Sequence, residues 1–312
     1  MEKKDNINFL LDQLDQTDDT FLDTIWQSII RPPKDKYSFV DLGPIEFNIY
    51  GKDYIRKDYK LIGRQGNILQ CSFYEVSQRC KDTISRPVII YLHGNSSSQI
   101  EVQNYLNYIL NSNINVFAFD FSGCGKSEGE YISLGFFEIN DVKLVVDFVY
   151  KLPNVGHIGI WGHSMGAATA IMYAQTDPRV ICLCCDSPFA DFDVLSKEIA
   201  ESKIKLPEFL YEKFYSLVKE MIYNRNKMEL SKLKPINEVK KIKKPIYFVH
   251  SVVDEIISYK HSVDLFEFCP SDNKYISMCQ GTHNALRHEK IINKVLEFFK
   301  KYLNADKIKK GD

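Results

Sequence analysis

Residues 157–166 read HIGIWGHSMG, and AATAIMYAQ follows at 167–175. Strand text runs into Gly162-His163-Ser164-Met165-Gly166, and helix text leaves it. A strand, a sharp turn and a helix together thrust a serine hydroxyl out of a sheet. The flanking glycines let the backbone turn without Cβ clashes. The bare Gly-x-Ser-x-Gly pattern is common by chance, but this context makes it specific. Ser164 is therefore the candidate nucleophile.

Working outward, short unbroken apolar runs alternate with helical text. PVIIYL (87–92), INVFAFD (114–120), RVICLCCD (179–186), PIYFVHS (245–251) and KYISMC (274–279) read as strands. Residues 99–111, 136–151 and 164–176, and stretches near 259–268 and 286–303, read as helices. Continuous apolar strands alternating with helices predict an α/β fold with a mostly parallel sheet covered on both faces. Upstream, DYKLIG and NILQCSFYEV flank Arg64-Gln65-Gly66, a hairpin signal. The first 30 residues read as helical, with Ile7, Leu10, Leu11 and Leu14 on one face. Phe21, Leu22, Ile25, Trp26 and Ile29 form another, and Arg31-Pro32-Pro33 ends the run. Its polar face is acidic, which favours docking on its own domain over lying on a membrane.

Residues 188–243 interrupt the alternation, far beyond an ordinary connection of 2–6 residues. The segment is expected to form a helical cap. Leu206, Phe209, Leu210, Tyr211, Phe214, Tyr215 and Leu217 are spaced to line a pocket. Its last third carries Arg225, Lys227, Lys232, Lys234, Lys240, Lys241, Lys243 and Lys244, a basic run that could meet an anionic membrane surface or simply solvate the cap.

Composition narrows the function. Apolar residues make up 45% of the 312 and charged residues 26%, an ordinary globular balance. Forty Lys and Arg stand against 41 Asp and Glu, so no nucleic-acid partner is expected. No apolar run approaches the ~18 residues of a membrane span. The acidic N-terminus lacks a cleavable signal pattern, so a cytoplasmic location is expected, with peripheral membrane contact as an addition. Eight cysteines then read as free thiols, and Cys182, Cys184 and Cys185 as small apolar residues of a buried strand. No paired metal-ligand spacing accompanies them, so no metal is expected. Gly123-Cys124-Gly125-Lys126-Ser127 ends like a phosphate-binding loop, but residue 120 is Asp where that loop needs Gly. It reads as a glycine-rich turn.

A serine hydroxyl needs a base, and an elbow serine takes its partners in the order Ser, acid, His. His93 and His163 sit in motifs with other jobs, His157 precedes the elbow strand, His250 lies within a strand, and His261 comes too early. His288 reads as an exposed helix residue. His283, in CQGTHNALR after the last strand, is the candidate base. Asp254, in SVVDEIIS, and Asp186, after RVICLCC, both follow strands. Asp254 is favoured as nearer the base in strand order, and the adjacent Glu255 is expected to point elsewhere. The oxyanion donors are expected to be the N–H groups of Met165, just after the nucleophile, and Asn95, in the His93-Gly94-Asn95-Ser96 loop.

Taken in order, YLHGN, FDFSGCGKSEG, WGHSMGA, SVVDEII and GTHN resemble the motif series of the α/β-hydrolase superfamily over about residues 60–303. HGN with DSPF at 186–189 resembles its Bem46-like group, also described as serine aminopeptidase-like, acyl-protein-thioesterase-like or lysophospholipase-like. The resemblance implies a hydrolase core at 56–187 and 244–305, an N-terminal segment at 1–55 packed on it, and the cap at 188–243. It implies a Ser164–His283–Asp254 triad with Asn95 and Met165 as oxyanion donors, no cofactor, and a small-molecule or lipid-like acyl ester or thioester as substrate. An aminopeptidase that grips a free amine through Glu198, Glu201, Glu208 or Glu212, and a non-catalytic binding protein on the same fold, are the rival readings.

Overall fold

The computed structural model describes residues 19–77, 84–204 and 208–305. The apolar residues at 7–14 lie outside them. Nine strands form one sheet in the order β1-β2-β3-β5-β4-β6-β7-β8-β9. They are β1 (Glu46–Ile49), β2 (Lys52–Ile62), β3 (Ile68–Val76), β4 (Arg86–Leu92), β5 (Asn115–Phe119), β6 (Val155–His163), β7 (Val180–Asp186), β8 (Ile246–Ser251) and β9 (Lys274–Cys279). The first three pair antiparallel, and β3 meets β5 antiparallel. From β5 through β4 to β9 every pairing is parallel. The sheet is mostly parallel, as the unbroken apolar runs predict.

Those runs are unbroken because both faces are covered. Along β4, Val88, Ile90 and Leu92 enter one apolar cluster, while Ile89 and Tyr91 enter another on the opposite face. In β7, Leu183 and Cys185 face the first, and Cys182 and Cys184 the second. All four are fully buried, so the cysteines serve as small apolar residues. Helices α1 (Asp19–Ile30), α3 (Glu138–Val149), α4 (Met165–Ala174) and α8 (Lys260–Phe268) cover the first face. Helices α2 (Gln103–Asn111) and α9 (Glu289–Leu303) cover the second.

The hairpin at 64–66 forms where the sequence puts it. The edge strand β1 was not foreseen: EFNI is half exposed and lacks an apolar run. The residues after the FAFD strand make a turn, with Gly123 at φ +81° and the Lys126 N–H donating to Asp120 at 2.8 Å. Helix α1 stops at Ile30, one residue before Arg31-Pro32-Pro33. Its Asp23 pairs with Arg225 at 2.9 Å, and the guanidinium lies 4.2 Å from the centre of the Trp26 ring.

Between β7 and β8 the chain forms α5 (Phe192–Ile199), α6 (Glu208–Asn226) and α7 (Pro235–Val239), with a single π turn at Ala200–Ile204. Leu206 and the side chains of Phe209 and Leu210 lie outside what is described. Tyr211 and Tyr215 are buried but bond back to α5, to Ser196 at 2.7 Å and Asp193 at 2.8 Å. Leu217 faces solvent. The aromatic residues of α6 thus hold the cap together, because their hydroxyls find partners on α5. The basic run is largely occupied: Arg225, Lys232, Lys234 and Lys241 all make ion pairs.

Candidate active site

Ser164 sits between β6 and α4 with φ +52° and ψ −116°. A non-glycine residue in this region carries backbone strain of order 1–3 kcal/mol. The close approach explains both flanking glycines. A Cβ on Gly162 would lie 2.4 Å from the Gly166 carbonyl oxygen, and one on Gly166 would lie 2.1 Å from that of Leu92.

Three chain-distant side chains meet at this turn. Ser164 Oγ is 2.8 Å from His283 Nε2, and His283 Nδ1 is 2.7 Å from Asp254 Oδ2. A carboxylate only accepts, so Nδ1 carries the ring proton and Nε2 is free to accept from the serine. His283 is 3% exposed and the Asp254 side chain is fully buried. Burial alone would raise the Asp254 carboxyl. Hydrogen bonds with His250 and His283 and from the Ile257 amide outweigh it and hold the group well below the usual carboxylate range. Asp254 Oδ1 accepts the Ile256 and Ile257 amides, each at 2.9 Å, so the acid is oriented by its own loop.

Asp186 is committed elsewhere. Its carboxylate takes Nε and Nη2 of Arg287 at 2.9–3.1 Å. Its backbone carbonyl accepts the Ser164 N–H at 2.8 Å. Of the two candidate acids, the structure brings only Asp254 to His283. Glu255 does not point away as expected: its Oε2 accepts the His283 backbone N–H at 3.0 Å and so steadies the candidate base. His288 caps α9, accepting the Lys290 N–H at 3.2 Å. Asn95 and Met165 line a cavity of about 700 Å³ together with Ser164 and His283. The apolar wall of that cavity includes Ile29, Leu134, Phe189, Phe192, Leu195 and Ile199.

A family described as serine aminopeptidase, S33, matches residues 83–234. The Pyrococcus furiosus esterase Pf2001 superposes with a TM-score of 0.66 at 25% identity, covering 88% of this chain and 99% of that one. This chain has the α/β-hydrolase fold. Among curated relatives, the uncharacterised protein YqkD of Bacillus subtilis (strain 168) is 30% identical over 182 residues, 57% of this chain. The match spans 59% of YqkD's own length. Protein bem46 of Schizosaccharomyces pombe is 26% identical over 207 residues, 64% of this chain and 62% of bem46. The HGN and DSPF motifs are in keeping with this likeness to bem46.

Several residues of the candidate site escape a linear reading. Ser28, Ile29 and Asp35 bring the N-terminal segment into the cavity wall. His93 Nε2 accepts the Phe121 N–H at 3.1 Å, so its Nδ1–H donates to the Gly94 carbonyl at 2.7 Å and braces the HGN loop. His163, between Gly162 and Ser164, lies 2.8 Å from Glu101. No signal in the sequence joins these groups. Their partners are far along the chain, and only the sheet edge gathers them.

Proposed function

We propose that this hydrolase cleaves carboxylic esters or thioesters, with lipid-like acyl groups preferred, through an acyl-enzyme on Ser164. The observation that carries the reading is the chain Ser164–His283–Asp254, with links of 2.8 and 2.7 Å. Ser164 Oγ attacks the acyl carbonyl while His283 Nε2 takes its proton. Asp254 keeps the imidazole in the tautomer that accepts and stabilises the cation formed. The Asn95 and Met165 N–H groups receive the oxyanion. His283 then protonates the leaving group and activates the water that releases the acid. The residues supply every proton transfer, and the scheme calls on no cofactor.

The apolar cavity wall supports a fatty acyl group, since each buried methylene adds about 0.8 kcal/mol to binding. Exposed Ile256 and Leu286, which also line the cavity, support peripheral contact with a membrane surface. No described helix is long and apolar enough to cross a membrane. The described cysteines are free thiols, which suits a reducing cytoplasm. The aminopeptidase reading is supported less well. Glu198 pairs with His261 and Glu208 with Lys197, and none of the four candidate glutamates is among the cavity's lining residues. Specificity constants for acyl esters and thioesters of two to ten carbons test the reading. A rise with length is expected, and constants flat across the series would contradict the lipid-like preference.

A further inference from the structure

We propose that Glu101 and His163 form a positioning pair for this hydrolysis, with His163 held as an imidazolium that ties the HGN loop to the loop carrying His283. The proposal rests on the reading of Ser164 and His283 as nucleophile and base.

The contacts favour a charged ring. Glu101 Oε2 accepts the Gly94 N–H at 3.0 Å, and Oε1 accepts the Tyr91 hydroxyl at 2.8 Å. The same Oε1 stands 2.8 Å from His163 Nδ1. On the other side of the ring, His163 Nε2 is 3.3 Å from the backbone carbonyl oxygen of His283. A carboxylate and a carbonyl have no proton to give. A carboxylate 2.8 Å from Nδ1 and a carbonyl at Nε2 together favour the ring that carries a proton on each nitrogen, the cation. The His163 side chain is 11% exposed and that of Glu101 15%, so each charge depends on the other.

The groups facing His163 agree. Glu101 meets it from the β4 side, with the Tyr91 hydroxyl bonded to Glu101. Asp186, at the end of β7, favours the cation, and Arg287, in the loop before α9, opposes it. Asp186 and Arg287 are bonded to each other, which leaves Glu101 as the effective counter-ion. The His283 ring lies 5.1 Å away, centre to centre. Burial alone would lower the His163 value, but Glu101 outweighs it and pushes it up to about 9. Burial would raise Glu101, and His163 with the Gly94 amide brings it down to about 2.

The pair has two ends in the chemistry. Gly94 precedes Asn95, whose N–H is the proposed oxyanion donor, and the His283 carbonyl belongs to the proposed base. Both groups act on the transition state more than on the bound ester, so loosening them lowers kcat more than it raises KM.

The test uses the full chain with p-nitrophenyl butyrate, and measures kcat and KM from pH 5 to 10. Wild type is expected to lose kcat/KM above about pH 9, where His163 loses its proton. Glu101→Gln is expected to move that falling limb down by about a pH unit or more. Its kcat falls about 10²-fold with KM little changed. His163→Gln removes the limb. Independently of any variant's folding, ¹⁵N spectra of wild-type imidazoles, with His163→Gln used for assignment, should show His163 protonated on both nitrogens at pH 7.5. A neutral His163 at that pH, or an unmoved limb in folded Glu101→Gln, overturns the proposal. Turnover retained by Ser164→Ala would instead overturn the nucleophile, a failure that the His163 spectrum distinguishes.

Discussion

Arg287 binds the Asp186 carboxylate through Nε and Nη2, and its Nη2 also reaches the His283 carbonyl at 3.0 Å. One buried ion pair thus fixes the backbone of the proposed base and occupies the acid that competes with Asp254 for the catalytic role.

The two acids are therefore expected to fail differently. Asp254→Asn should keep the melting temperature near wild type while turnover falls about 10⁴-fold, because the imidazole loses its tautomer. Asp186→Asn leaves Arg287 buried without its counter-ion, at a cost of about 3–5 kcal/mol. It should lower the melting temperature, with residual activity that follows the folded fraction. Thermal melts and turnover measured on both variants check this. A stable, inactive Asp186→Asn beside an active Asp254→Asn would reverse the assignment.

The cavity wall makes a second prediction. Ile199→Trp fills the apolar end, which Phe189 and Leu195 also line. Specificity for octanoyl and decanoyl esters should drop, while acetyl ester turnover stays within about twofold. Each excluded methylene removes about 0.8 kcal/mol, close to a fourfold step. Equal losses at every chain length would place the acyl group elsewhere.

Stability should follow the Glu101–His163 pair across pH. The raised His163 value means its contribution is complete below about pH 6.5 and lost as pH climbs through about 9. The lowered Glu101 value means its contribution is present above about pH 4.5 and lost as pH falls through about 2. The gap in melting temperature between wild type and Glu101→Gln should be widest near pH 5–6.5 and should narrow towards pH 10. A gap that is constant across this range would mean that the pair does not titrate in this way.

Much of the architecture is legible in the chain because parallel strands buried on both faces leave unbroken apolar text, as in PVIIYL and VICLCC. Gly162 and Gly166 mark the elbow because no side chain fits against the carbonyls of Gly166 and Leu92. The candidate triad could be read because each member follows a strand whose order is set by the alternation. Glu255 could not: beside Asp254 it looks redundant, and its role is to hold a backbone amide 28 residues away. Glu101 sits in a short 3-10 turn, Gln99–Val102, with no local pattern that points to His163. The cap aromatics mislead because spacing along a helix cannot say which neighbour a tyrosine hydroxyl will find.

The central claim is that Ser164 alone carries the covalent step. Intact-mass measurement after a fluorophosphonate probe, paired with ester turnover, tests it directly. Wild type should gain one adduct, mapped to Ser164, and lose its activity. Ser164→Ala should remain unlabelled, with turnover down by about 10³-fold or more. An adduct on Ser164→Ala, or ester turnover at wild-type rate in that variant, would contradict the account.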